Sequence, residues 1–348
     1  MPAEAIPLGT ASKPMPRNRR RCRLWLWLLL LGVSVYAHAQ TCESAADMGA
    51  SERTALEGTA KRYFEMSVKG DAAALKQNSI TSLAASFADI EAAVKENQAA
   101  SAGATATVRP PFLLIAEGSE PLARAEFLCG VFGKSGQTKD SAVFVLNNLP
   151  PGKYGVTILD VNGGQNPRTL TLVLQQAGTD WKLAGFYAKA SQAAGHDAAW
   201  FMQRARAFKT KGQNHNAWLY YREAISLYAP VDFMSTLATD KLYDETRAAQ
   251  PSDVPANGNA VDMSVGGKIY HLTEIFPLAV GDDLDVVVKY QAADVSNTAH
   301  TFQENMAMIK ALVAKLPELR EAFAGVVARA VEPSGRDYGS LMATKDIK

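Results

Sequence analysis

From Ser51 onward the apolar positions Leu56, Ala60, Tyr63, Phe64 and Val68 recur at three- and four-residue steps, with Glu52, Arg53, Lys61 and Arg62 between them. This spacing predicts an amphipathic helix with Ser51 as its N-cap. Lys69-Gly70-Asp71 then offers a glycine to end that helix and an aspartate to cap a short one running toward Leu75. A further helix is expected over 86–98, where Phe87, Ile90 and Val94 share a face. The Ala-, Ser- and Gly-rich stretch 99–106 reads as a loop.

Beyond residue 106 the period shortens. β-favouring runs at 112–116, 125–132, 142–146, 154–160, 169–174 and 181–187 are separated by turn residues such as Gly133-Lys134-Ser135-Gly136, Pro150-Pro151-Gly152 and Asn162-Gly163-Gly164. An antiparallel β-meander is expected. Over 198–228 the helical period returns as two helices flanking Lys211-Gly212-Gln213, with Phe201, Ala205 and Phe208 answered by Ala217, Tyr221 and Ala224. The Pro- and Gly-containing stretch 250–264 is expected to be a linker. After it come strands near 268–275 and 284–291, then a helix from Asn297 with the stripe Phe302, Met306, Ile309, Val313 and Leu316, then strands near 326–331 and 338–344.

The expected fold class is α+β: N-terminal helices with an antiparallel β-meander (51–190), a central helical hairpin (196–249), and a small C-terminal α+β domain (265–348). Helices before a curved meander, the Gly70-Asp71 corner and the closing run Trp181-Lys182-Leu183-Ala184-Gly185-Phe186 resemble the cystatin-like or nuclear-transport-factor-2-like α+β cone. That resemblance implies helices packed on a sheet around a pocket, with Tyr63, Phe64 and Phe87 as pocket residues. The alternative for 106–190 is an Ig-like β-sandwich, which Asn148-Leu149-Pro150-Pro151-Gly152-Lys153-Tyr154 resembles at its turn into a strand. The pairing of small and aromatic residues over 198–230 is similar to a tetratricopeptide-repeat hairpin, with Phe201 where a Trp is common. It implies a protein partner for the hairpin, and the alternative, since no second copy of the repeat is found, is a hairpin that docks on its own neighbours.

The chain has a formal charge of +1 over 348 residues, and that sum hides an asymmetry. A basic run at Arg17-Asn18-Arg19-Arg20-Arg21-Cys22-Arg23, an apolar block over 24–35 and Ala37-His38-Ala39 fit an export signal (1–39) cut after Ala39. The expected location is therefore periplasmic, cell-surface or extracellular. The apolar block is shorter than the ~20 residues of a membrane span, so membrane association is expected only if the segment stays uncleaved. Residues 1–39 carry six basic side chains against one acidic, and taking that net +5 from +1 leaves −4. A mildly acidic remainder argues against nucleic acid as a partner, because phosphate binding needs clustered Lys and Arg. Of three cysteines, Cys42 and Cys129 remain after the signal, and in an oxidising compartment a disulfide between them competes with a plain buried thiol at Cys129.

No residue set calls for catalysis, a cofactor or a metal. Gly130-Val131-Phe132-Gly133-Lys134-Ser135 lacks the glycine spacing of a phosphate loop and bridges two expected strands. His196, His215, His271 and His300 are too scattered for a metal site. Asp197, beside His196, is expected to cap the next helix, and His215 to satisfy a helix end at the hairpin turn. Asp282, Asp283 and Asp285 read as a solvated turn. The functional expectation is a non-catalytic binding or scaffold module, and the alternative is a small-molecule binder or enzyme using a pocket in the first α+β domain.

Overall fold

A computed structural model describes residues 40–99, 101–132, 137–165, 167–256 and 258–347. The expected export signal and the expected turn at 133–136 lie outside the described residues. The chain opens on β1 (Gln40–Glu43), followed by α1 (Ala50–Val68), α2 (Ala72–Gln77), α3 (Thr81–Ala85) and α4 (Ala88–Asn97). Gly49, not Ser51, stands at the head of α1, and no side chain caps it. Leu56, Ala60 and Tyr63 are buried along one face of α1, as a 3.6-residue period requires. Gly70 takes φ +72, and Asp71 caps α2 by accepting the Ala74 amide at 3.0 Å. The five-residue α3 buries nothing and so leaves no periodic trace in the sequence.

Seven strands follow: β2 (Thr105–Val108), β3 (Phe112–Ala116), β4 (Leu122–Cys129), β5 (Ala142–Leu149), β6 (Gly152–Asn162), β7 (Arg168–Ala177) and β8 (Asp180–Ala190). They do not form one meander. The main sheet runs β1-β3-β6-β7-β8 with β2 beside β6, while β4 and β5 pair in a second sheet. The reason is amphipathicity on both sides of the main sheet. Leu113, Leu159, Leu170, Leu172 and Leu183 face α1, α2 and α4, whereas Phe112, Leu114, Tyr154 and Val156 face Phe127 and Phe144 of the β4–β5 pair. Helix-on-sheet and sheet-on-sheet packing thus occur on opposite faces of one sheet, and neither a cone nor a sandwich alone describes the unit. Cys42 on β1 and Cys129 on β4 are disulfide-bonded, joining the two sheets across 87 residues of sequence. On the helical side the sheet approaches α1 so closely that a Cβ at Gly155 would lie 2.2 Å from Leu56 Cδ2.

A two-residue hairpin, β9 (Gln192–Ala193) and β10 (His196–Asp197), leads into α5 (Ala198–Thr210) and α6 (Asn214–Tyr228). The pair is not alone. After β11 (Met234–Thr236), which adds to β5, α7 (Leu237–Ala249) packs on α6 and is tied to α5 by the two-pronged Arg206–Glu245 pair at 2.8 and 2.9 Å. The last sheet comprises β12 (Val261–Val265), β13 (Lys268–Val280) and β14 (Asp283–Gln291), then, after α8 (Thr298–Lys315) and α9 (Leu319–Ala322), β15 (Gly325–Val331) and β16 (Asp337–Ala343). Its order is β12-β13-β14-β15-β16, and only β14–β15 is parallel, the pairing that needs a crossover such as α8.

Two boundaries differ from expectation. The stretch 250–264 is not a free linker: Val254 is buried, and 261–265 is the edge strand β12. Proline and glycine there signal irregular backbone, which packs nonetheless. Likewise, one continuous apolar cluster running from Ala193 to Ile347 takes in Phe201, Tyr220, Leu242, Val286, Ile309 and Val326, so the helices and the C-terminal sheet share a core. On α8 the buried stripe is Thr301, Asn305, Met308, Ile309, Leu312 and Val313, while Phe302 is exposed. The stripe turns because Asn305 is drawn inward, accepting from Tyr290 Oη at 2.7 Å and donating to Ser340 Oγ at 3.0 Å. A reading based on apolar residues passes over such a position.

Candidate functional site

The largest concavity described is a cleft of about 1200 Å³ between the N-terminal sheets and one end of the α5–α7 bundle. Its floor is the face of β6 and β7 that the β4–β5 pair leaves uncovered, presenting Ile158, Asp160 and Thr169. One rim is the β2–β3 connection, Arg109-Pro110-Pro111. Two successive prolines fix φ and remove two backbone donors, which keeps this connection out of the sheet. The Arg109 amide still donates to the Ile158 carbonyl at 2.8 Å, and its guanidinium holds Asp160 through Nε–Oδ2 at 3.0 Å and Nη2–Oδ1 at 2.6 Å.

The opposite wall is made by helix ends. α6 runs antiparallel to α5 and α7, so its C-terminal Leu227 and Tyr228 reach the cleft together with Ala198 and Ala199 at the start of α5 and Leu237 and Ala238 at the start of α7. Both starts are capped. Asp197 accepts the Trp200 amide at 2.9 Å, and Thr236 and Thr239 exchange bonds in a capping box, Thr239 N to Thr236 Oγ1 at 3.2 Å and Thr236 N to Thr239 Oγ1 at 2.7 Å. Tyr228 and Leu237 are 40% and 43% exposed, so the wall offers apolar surface to whatever enters.

The residues singled out from sequence fall elsewhere. Tyr63 and Phe87 are core side chains lining none of the described cavities, and the Tyr63 hydroxyl is spent on the Trp181 carbonyl at 2.9 Å. Burial raises the pKa of that phenol. Phe64 borders a gap of only about 40 Å³ beside Val94, Leu170 and Phe186. Side-chain volume fills the helix–sheet interface where the pocket was expected. Asp197 does cap α5, while His196 stacks on Trp200 at 3.7 Å beside a 340 Å³ cavity that Tyr220, Phe323, Asp282 and Asp283 also line. His215 meets a carboxylate at each ring nitrogen, Glu318 at 2.7 Å and Asp253 at 2.8 Å, and so pins the 250–264 stretch to the α8–α9 corner. Among the described residues no group of His, Cys, Asp and Glu is arranged to hold a metal ion.

Comparison with protein-family models, curated proteins and solved structures finds no match. The likeness to cone domains and repeat hairpins therefore stays at the level of the residues that suggested it. Among the described residues no helix is long and apolar enough to cross a membrane. Nothing local in sequence marks the cleft, because Arg109, Thr169 and Leu237 are brought together only by packing.

Proposed function

We propose that this chain is an exported, non-catalytic binding or scaffold module that receives an extended polypeptide segment in the cleft beside the helical bundle. The observation that supports this reading is the cleft itself. Its volume of about 1200 Å³ exceeds the ~300–1,000 Å³ usual for small-molecule sites, and its helical wall carries exposed Tyr228 and Leu237. Two of its acidic groups are committed to structure: Asp160 to Arg109, and Asp197 to the head of α5. The notion of a catalytic or small-molecule pocket beneath the N-terminal helices draws no comparable support, since Tyr63 and Phe87 pack as core.

Selection of peptides from a displayed library against residues 40–348 tests the reading. Enriched peptides should bind the wild type and lose about tenfold or more in affinity on the Tyr228→Asp/Leu237→Asp variant, because a charge would have to be desolvated in each position. Failure to enrich any peptide, or equal binding to both forms, overturns it.

A further inference from the structure

β8 closes the main sheet, with β7 along one side and no further strand along the other. Only its first half is covered on that open side, where Leu183 donates to the Asn78 carbonyl and accepts from the Ile80 amide, both at 2.9 Å. Past the irregularity at Ala184 the register runs unbroken from Gly185, opposite Val173, to Ala190, opposite Arg168. The next amide, Ser191, donates to the Pro167 carbonyl at 3.1 Å, on the β7 side. Backbone groups point alternately to the two sides of a strand. Counting back from Ser191, Lys189 and Tyr187 therefore face β7, while Phe186, Ala188 and Ala190 turn amide and carbonyl away from it. Those amides and carbonyls have no hydrogen-bond partner among the described residues.

Proteins blunt such an edge with a proline, a bulge or an outward lysine. Residues 185–190 contain neither a proline nor a register shift. Lys189 does not guard the edge, because its ammonium donates to the Ala229 carbonyl at 3.1 Å and pairs with Asp232 at 3.7 Å. The edge instead lies in a groove of about 580 Å³, with Asp89 and Ile90 of α4 on one flank and Val231, Asp232 and Phe233 on the other. Tyr187 stands edge-on to Phe233 at 5.4 Å, and Phe186 packs toward the helices. A strand laid along β8 would thus set alternate side chains on apolar surface at both faces of the sheet. Of the charged groups in the groove, Lys189 and Asp232 answer each other, whereas exposed Asp89 has no ion-pair partner among the described residues.

We propose that β8 is a docking edge for an extended segment of another polypeptide, which adds as a strand along 186–190 and sets a basic side chain against Asp89. The backbone of Phe186, Ala188 and Ala190 selects this occupant, since an extended main chain presents donors and acceptors at the same two-residue repeat. A second copy of this chain fits less well. Its own β8 arrives flanked by its own α4 and 231–233 walls, and it brings an acid to the groove where a base is called for. The groove shares only Pro230 with the lining of the cleft, and the inference goes beyond the cleft reading without resting on it.

The test uses synthetic octapeptides of alternating Val and Thr with one Lys walked through the positions, titrated by fluorescence anisotropy. The protein carries Tyr228→Asp and Leu237→Asp, so that the cleft does not contribute. N-methylation of one alternate set of peptide amides should abolish binding and of the other set should leave it, because only every second amide meets β8. Affinity should fall about tenfold on Lys→Glu in the peptide, on Asp89→Lys and on Ala188→Pro in the protein. Proline is tolerated where the amide of an edge strand faces away from the sheet, and Asp89 is on the surface, so both variants should fold. No binding, equal loss from the two N-methylated sets, or unchanged affinity for both protein variants overturns the docking edge and leaves the cleft reading standing.

Discussion

Glu223 on α6 is half-buried between turns that carry Leu219 and Leu227, and no hydrogen bond or ion pair to it is found among the described residues. Its neighbour Arg222 cannot compensate fully, because that guanidinium lies over Trp218 and donates to the Ile275 carbonyl. Burial therefore pushes the Glu223 carboxyl from 4.5 up to about 7, with Arg222 opposing the shift. A carboxyl whose folded pKa is raised stabilises the fold most below its unfolded pKa. That contribution is lost as pH rises from about 4.5 through about 7. At ~1.4 kcal/mol per pKa unit, the loss amounts to about 3 kcal/mol, an upper bound given partial exposure. Glu223→Gln keeps the shape and removes the charge. Urea unfolding followed by tryptophan fluorescence should show variant and wild type nearly equal at pH 4.5. At pH 8 the variant should be more stable by about 2–3 kcal/mol. A difference that is the same at both pH values would refute the reasoning, because the carboxyl would then not titrate between them.

Two further perturbations test the fold. Reducing the Cys42–Cys129 disulfide, which closes 87 residues of sequence, should lower the unfolding free energy by about 4 kcal/mol, read as a shift of the urea midpoint with and without reductant. No shift would mean that the two sheets are held together without it. Gly155→Ala would place a methyl against fully buried Leu56 and should cost about 1–3 kcal/mol in thermal or urea unfolding. Adding Leu56→Ala should not add its full cost on top, and simple additivity of the two losses would show that the residues do not touch.

Much of the architecture was legible in local pattern. The 3.6-residue spacing of Leu56, Ala60 and Tyr63, the cap at Asp71, the helices either side of Gly212 and the order of strands from Phe112 onward all follow from how neighbouring residues share a face. These features require only local geometry. Where an apolar-only pattern was read literally it slipped: Phe302 is exposed and Asn305 is buried, since a buried hydrogen-bond network leaves no hydrophobic signature.

What the sequence determined by itself is the α+β class and the succession of its elements, together with the charge contrast between residues 1–39 and the rest. Tertiary structure alone decided that β4 and β5 leave the meander to cover the far side of the main sheet, that 250–264 packs rather than links, and that the helices share a core with the C-terminal sheet. It also placed the cleft where Arg109, Thr169, Tyr228 and Leu237 meet. Side-chain period tells which faces of an element are apolar, and it carries no term for which other element will cover them. That choice is made by burial summed over the whole chain, which is why a helix stripe resembling a pocket wall at Tyr63 became core while the open site formed elsewhere.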